Sequence, residues 1–434
     1  DRLSPMHHGH CTYYLNSRVP SKWEVKPIKI VATFNDDVLP DSTAADTPIS
    51  YVDISSVSYA AGIGSTEEML FGNAPSRARR KAKVGDVVIS TVRTYLKAVA
   101  AVDAAHADCV YSTGFAVLRS RTGHIEPNFL KWLALNELFI QSVESHSEGL
   151  SYPAINAPEL VNLKTVMPSL PEQATIAVTI DRETARFDAL IAKKTRFIEL
   201  LKEKRQALIT HAVTKGLNPK AKMKASGVEW IGEVPEHWVA IKFNHVARVT
   251  EGLVDPKAHP YREMVLIAPN HIESGTGKIL GLETAVFQNA ESGKYTCKKG
   301  AVIYSKIRPA LAKVAIAPCD CLCSADMYPM DCTDRTYPEW LFYLMLSPPF
   351  TSWAILESDR VAMPKINRES LADLRVFLPP MDEQLAAVAW LKAQVEKLEI
   401  VSLKTQHSID LLKERRAAFI TAAVTGQIDL RESA

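Results

Sequence analysis

The chain has 434 residues, of which 47% are hydrophobic and 23% charged, with a formal net charge of +2. That length exceeds what one hydrophobic core serves, so two to four domains are expected. Ordinary composition, near-neutral charge and the lack of an apolar run long enough to cross a bilayer argue against a membrane protein and against a chain coated in basic residues; a local basic patch still suits nucleic acid.

Residues 1–20 read as a polar N-terminal segment. Its start, DRLSPMHHGHC, does not resemble a secretory leader, and His7, His8 and His10 read as an end rather than a metal site. Seven mostly isolated cysteines fit a reducing cytosol, so a cytoplasmic location is expected. Residues 21–168 read as a globular unit. It holds short Val/Ile-rich strands at Asp86–Thr91 and Lys97–Val102, a proline-opened helix from Pro127 through NFLKWLALNELF, and a Pro-x-Ile-Asn loop at 153–156. Residues 169–216 read as a long helix. Ser169-Leu-Pro-Glu172 fits a capping box in which the serine hydroxyl and the glutamate carboxylate each take a free backbone N–H, and Gly216 suits the stop. The link at 215–233, bounded as a linker at 217–233, carries Lys215, Lys220, Lys222 and Lys224 among Gly and Pro and reads as solvated. Residues 234–379 read as a second globule, with strands at Ala301–Ser305 and Lys313–Ala317 and a helix from Pro338. Residues 380–426 form a second long helix and 427–434 a tail.

The second half repeats the first. KEKRQALITHAVT from Lys202 returns 211 residues later as KERRAAFITAAVT from Lys413. At the same offset Pro153, Ile155 and Asn156 meet Pro364, Ile366 and Asn367, and Glu172–Gln173 meets Glu383–Gln384. At offset 215, Val19–Pro20 and Trp23 meet Val234–Pro235 and Trp238; Gly85, Ser90, Arg93 and Leu96 meet Gly300, Ser305, Arg308 and Leu311. At alternating 4–3 spacing the first helix gives a seam of Ile180, Thr184, Phe187, Ile191, Lys194, Ile198, Leu201, Arg205, Leu208 and Ala212. The second gives Leu391, Val395, Leu398, Ser402, Thr405, Ile409, Leu412, Arg416, Phe419 and Ala423, with polar breaks at matching places. Roughly 40 residues at about 1.5 Å each make a rod of about 60 Å. Two rods zipped antiparallel would make direct repeats into pseudo-two-fold partners. A duplicated unit followed each time by a long helix suits a device that touches two similar things.

The ordered set resembles the specificity subunit of type I restriction–modification systems over nearly the whole chain. It is carried by Gly85-Asp-Val-Val-Ile-Ser-Thr-Val-Arg93 and Gly300-Ala-Val-Ile-Tyr-Ser-Lys-Ile-Arg308, the two Pro-x-Ile-Asn loops, and the Pro-x-x-x-Glu-Gln helix starts at 168–173 and 379–384. Thr94 stands where the second copy has Pro309. The resemblance implies an α/β (α+β) fold with two target recognition domains separated by two long antiparallel coiled-coil helices. It implies a noncatalytic subunit that reads one half of a split double-stranded DNA site with each domain and docks methyltransferase subunits, two of them expected. Restriction–translocase subunits would join through the complex. No cofactor is expected on this chain; S-adenosylmethionine and ATP would belong to the partners, and no membrane is involved.

Candidate DNA contacts follow. Arg77, Arg79, Arg80, Lys81 and Lys83 precede the first glycine-led strand, and Lys294, Lys298 and Lys299 precede the second; such cations supply phosphate contacts. Arg93 and Arg308, with Lys97, Lys306 and Lys313 nearby, follow the strands. Recurrence in two domains that read different bases favours a shared structural or phosphate role for the two arginines. Base readers are sought where the copies differ, in loops 142–152 and 353–363, through Ser151, Tyr152, Arg360 and Lys365. Ile176, Leu190 and Leu200, left over from the seam, are candidate docking residues.

Catalysis is not encoded. Ser347-Pro-Pro-Phe350 looks like an amino-methyltransferase signature, but its mate is Asn136-Glu-Leu-Phe139 and no glycine-rich cofactor loop accompanies it. Gly275-Thr-Gly-Lys278 lacks the upstream glycine of a phosphate loop, since Ile272 stands there. Cys319, Cys321 and Cys323 alternate, a spacing that suits a buried reduced cluster better than zinc. The competing readings are the specificity portion of another multi-subunit modification enzyme and a DNA-independent coiled-coil scaffold.

Overall fold

The computed structural model describes residues 19–430 except 60, 150, 229–230 and 359–363. The chain forms two compact units: residues up to Lys194 with those from His407 onward, and residues Thr195–Gln406. Each unit takes one globular copy and a portion of both long helices.

The first unit is built on two four-stranded sheets. One has the order Ala32–Phe34, Phe115–Ser120, Val87–Ser90, Val99–Ala101, all antiparallel. Val87–Ser90 lies inside this sheet with all four side chains buried, as an unbroken apolar run predicts. The other has the order Glu67–Leu70, Pro48–Val52, Val110–Ser112, Ala78–Lys81, with one parallel pair. The second unit repeats both, as Ala247–Val249, Met327–Cys332, Val302–Ser305, Val314–Ile316 and as Leu266–Ile267, Cys321–Cys323, Tyr295–Cys297. The second sheet again carries one parallel pair and lacks the outer strand. Cys297, Cys321 and Cys323 are free thiols in its core.

The proline-opened helical stretch is two helices, not one. Pro127–Ala134 ends at Leu135, and Asn136 caps Glu137–Ser145 by accepting from the Phe139 N–H at 2.9 Å. The mate is Pro338–Leu346 followed by Pro348–Ser358. There Ser347 occupies the capping position and Phe350 is buried, as Phe139 is. Ser-Pro-Pro-Phe is therefore a helix start with a core aromatic. These helices also take residues from the two loops proposed to read bases: 142–145 and 353–358 are helical.

The long helices span Leu170–Lys215 and Met381–Val424. All twenty seam residues are buried or half-buried, whereas most residues between them are exposed. The helices run antiparallel. In the first unit Phe187 and Phe419 have ring centroids 6.3 Å apart, and Arg416 Nε lies 3.0 Å from Asp188 Oδ1. In the second unit Ile209, Ala212 and Val213 share a core with Val388, Leu391 and Val395. Arg205, the mate of Arg416, instead donates to the carbonyls of Gly275 (2.7 Å) and Thr276 (3.1 Å). Ile176 is in the core of the first unit, because it packs with Ile180, Ile420 and Val424; this removes it as a docking residue, while Leu190 and Leu200 stay exposed.

The glycine stops have a steric cause. Gly216 and Gly426 have φ of 68° and 72°. A Cβ on Gly216 would lie 3.2 Å from Trp238, and one on Gly426 would lie 2.6 Å from Pro20 and 3.1 Å from Trp23. The repeated Val-Pro and Trp residues are thus seats for the two helix ends. At the first helix start the Ser169 hydroxyl and N–H both donate to the Glu172 carboxylate, at 2.9 and 3.2 Å, so the serine does not take an orphan N–H itself. Residues 217–233 are solvated, with none of the described ones buried, but they are structured: Met223–Ala225 pairs with Glu233–Pro235, and half-buried Val228 and Ile231 pack on Val234, Trp238 and Phe377.

The glutamines of the helix-start motif are buried. Gln173 accepts from the Glu126 N–H (2.8 Å) and donates to the Pro168 carbonyl (2.9 Å). Gln384 accepts from the Tyr337 N–H (2.8 Å) and donates to the carbonyls of Arg335 and Pro379 (2.9 Å each). Removing such a partner strands buried backbone groups. Replacing Gln384 with Ala should destabilise the protein by roughly 2–4 kcal/mol in chemical denaturation; an unchanged unfolding curve would show that the glutamine does not clamp the helix start.

Candidate nucleic-acid interface

The glycine-led motif builds the same turn twice. Gly85 and Gly300, at φ 88° and 86°, donate to the carbonyls of Val102 and Ala317 at 2.9 Å and set the strand entry. At the strand exit Ser90 and Ser305 are buried, and their hydroxyls donate to the carbonyls of Val92 (2.6 Å) and Ile307 (3.1 Å). Arg93 and Arg308 then adopt left-handed conformations, φ 50° and 48°, each capping a short 3-10 turn. The Pro-x-Ile-Asn loop closes on this exit: Ile155 N donates to Thr91 and Ile366 N to Lys306, both at 2.9 Å. Ile155 and Ile366 are buried, while Asn156 and Asn367 cap the following helices by accepting from the N–H groups of Glu159 (2.8 Å) and Ser370 (2.7 Å). Of the recurring residues, the glycines, serines, isoleucines and asparagines are spent on scaffold, whereas the two arginines and the recurring Leu96 and Leu311 are exposed.

The candidate cations fall at both ends of these strands. In the first unit Ala78–Lys81, within the run Arg77–Lys83, is itself a strand. Its charges are mostly answered. Arg77 donates to Tyr51 at 3.0 Å and pairs with Asp53 at 2.9 Å. Arg79 lies over Phe71 at 4.7 Å and 3.6 Å from Asp41. Lys83 reaches Asp37 at 3.5 Å. Arg119, which the sequence did not single out, clasps both Asp86 (2.7 Å) and Asp37 (2.8 Å), and its hydrogen bond holds the Asp37 carboxyl below the usual carboxylate range. Arg80 is half-buried, and burial lowers its pKa. Lys81 is exposed, with no ion pair among the described residues. At the far end of the strand Lys97 is tied to Glu137 at 2.5 Å, which raises its pKa. Arg93 lies over the exposed Tyr152 ring at 5.0 Å, beside exposed Ser151.

In the second unit Lys294 is the exception to its cluster. It is buried, and its Nζ donates to the Ser292 carbonyl (2.5 Å) and hydroxyl (2.7 Å); burial lowers its pKa. It is a structural lysine and not a surface contact. Lys298 and Lys299 are exposed. Lys306 Nζ lies 5.2 Å from the Tyr328 ring, Arg308 and Lys365 are exposed, and Lys313 donates to the Pro269 carbonyl at 2.6 Å. Arg360 lies outside the described residues. Arg368, missed in the sequence, lies over both Tyr295 and Tyr328 at 5.5 Å; its position directly after the Pro-x-Ile-Asn motif, where the first copy has Ala157, was the available signal.

The comparisons with known proteins bear on this arrangement. Residues 235–411 match the family model described as type I restriction modification DNA specificity domain. The EcoDI specificity subunit of the type I restriction enzyme of Escherichia coli is 30% identical over 328 residues, covering 71% of this chain and 72% of that protein. The chain belongs to the type I restriction enzyme specificity subunits. The MjaVIII specificity subunit of Methanocaldococcus jannaschii is 25% identical over 316 residues, 69% of each protein. Among solved structures, a chain of a type I R-M system aligns with a TM-score of 0.73 at 20% identity, covering 94% of this chain and 99% of that one. The HsdS subunit from Thermoanaerobacter tengcongensis aligns at 0.53 and 22% identity, covering 94% and 98%. These two show the fold. The family model falls on the second copy of this specificity subunit; the first copy has the same strand order and motif geometry. Among the described residues, no helix is long and apolar enough to cross a membrane, and no group of three His, Cys, Asp or Glu side chains is set to hold a metal ion.

The burial pattern is open to chemical test. Amine-directed labelling of the native protein should modify Lys298 and Lys299 and spare Lys294 until unfolding, read by peptide mass spectrometry. Equal labelling of Lys294 and Lys299 would show the buried assignment to be wrong.

Proposed function

We propose that the chain is the noncatalytic DNA-reading subunit of a type I enzyme and recognises a bipartite duplex site, one half with each globular domain. The observation that carries this reading is the division of labour within the motif. The residues common to both copies build the strand, turn and helix clamp, while the residues around the shared arginine differ: half-buried Thr91 and Ala154 with exposed Tyr152 in one copy, half-buried Lys306 and exposed Lys365 in the other. A common frame with different exposed chemistry suits two readers of different sequences.

Partner docking follows from the long helices. Leu190 and Leu200 are exposed, and so are their repeat mates Val401 and Leu411. Two equivalent apolar stations suit two methyltransferase subunits, through which restriction–translocase subunits would join. S-adenosylmethionine and ATP would act on those partners, in the cytoplasm where the chromosome lies. The helix lengths would set how many bases go unread between the half-sites.

Two exchanges test this reading, with modified bases mapped by long-read sequencing. Replacing residues 21–168 with the matching segment of a relative should change one half-site and leave the other; a change in both would show that the domains are not independent readers. Deleting seven residues at equivalent places in both long helices should change the unread gap and neither half-site. Altered bases within a half-site would contradict the spacer role.

A further inference from the structure

At the strand exit the two copies share backbone geometry but not charge. In the second unit Ile307 pairs with Lys365 in an antiparallel bridge, Arg308 N donates to the Pro364 carbonyl at 3.2 Å, and Ile366 N donates to Lys306 at 2.9 Å. Three cations, Lys306, Arg308 and Lys365, thus stand on two hydrogen-bonded segments. None of them forms an ion pair with a described residue. Arg368 follows on the same segment; its guanidinium lies 5.5 Å from both the Tyr295 and Tyr328 rings, donates to the Thr250 carbonyl at 3.0 Å and, unlike the three, pairs with a carboxylate, Glu251, at 3.4 Å.

The first unit zips the same segments, through the Val92–Ala154 bridge and the Ile155–Thr91 hydrogen bond. Its side chains at the three positions are Thr91, Arg93 and Ala154. Two other cations of this unit are already committed, Arg77 to Asp53 and Lys97 to Glu137. The sequence puts its densest basic run in the first copy, yet the carboxylate-free charge at this turn is in the second.

We infer that Lys306, Arg308 and Lys365 form a clamp for the phosphodiester backbone of duplex DNA that the second unit has and the first lacks. The second domain is then the electrostatic anchor of the subunit, while the first grips through fewer phosphates. This rests on the DNA-reading function proposed above. Three phosphate contacts would contribute about −2.7 to the dependence of log affinity on log salt, against about −0.9 for Arg93 alone.

The test is filter binding of the full-length chain to a random-sequence duplex across a salt titration. Lys306→Gln with Lys365→Gln should make the slope shallower by about 1.8, so that the affinity lost between about 50 and about 200 mM salt is roughly tenfold smaller than in the parent protein. The matched control, Lys242→Gln with Lys257→Gln, removes lysines already paired with Asp373 (2.7 Å) and Glu291 (3.3 Å) and should leave the slope unchanged. Lys306→Arg with Lys365→Arg should retain it. A parent slope in the Gln pair, or an equal drop in the control, would overturn the clamp while leaving DNA reading intact. Absence of salt-dependent duplex binding by the parent chain would overturn both.

Discussion

The buried glutamine at the head of each long helix is the joint on which the subunit depends. A helix start leaves backbone N–H groups without partners, and a domain that merely abutted it would swing. Gln173 and Gln384 prevent this by bonding on one side to a backbone N–H at the start of a domain helix, Glu126 or Tyr337, and on the other to the carbonyl of Pro168 or Pro379 at the long helix's own entry. Buried amides hold such a position because a shift would strand several polar groups at once. The proposed base recognition would need that rigidity, since hydrogen bonds to base edges tolerate little displacement.

The same economy explains which residues repeat. Where the backbone must take a left-handed turn, cap a helix or pass close to an indole, few residues serve, and both copies have kept them: Gly85 and Gly300, Asn156 and Asn367, Gly216 and Gly426. Outside those positions composition has drifted, as at Thr91 against Lys306 and Ala154 against Lys365, of which Lys365 is exposed and the other three half-buried. Similarity between the copies marks the frame, and difference marks the surface available for discrimination. The left-handed arginines at 93 and 308 stand at the border, fixed in backbone by the frame and exposed to solvent by their side chains.

Much of this was legible in the sequence because periodicity and repetition record packing directly. The heptad seam is buried or half-buried along both helices, polar breaks included, since a seam obeys local spacing. What escaped depended on partners remote in the chain. Lys294 reads as part of a basic run, yet strand pairing with Val254 draws it into the unit. Arg77, Arg79 and Lys83 read as a free cluster because Asp53, Asp41 and Asp37 lie 24 to 46 residues away. Ile176 reads as surplus to the seam, but it faces the globular core and not the partner helix alone. The 217–233 stretch looks polar in composition, yet its few apolar residues, Val228 and Ile231, suffice to fold it onto Trp238.

The proposed reading of a bipartite site by two domains would leave a definite mark on DNA. The most direct measurement is a genome-wide map of modified bases in cells carrying this subunit with its partner subunits, compared with cells lacking it. Two short conserved blocks separated by a fixed run of unconserved bases are the expected pattern. A single contiguous block, or modification indifferent to sequence, would contradict the two-domain reading.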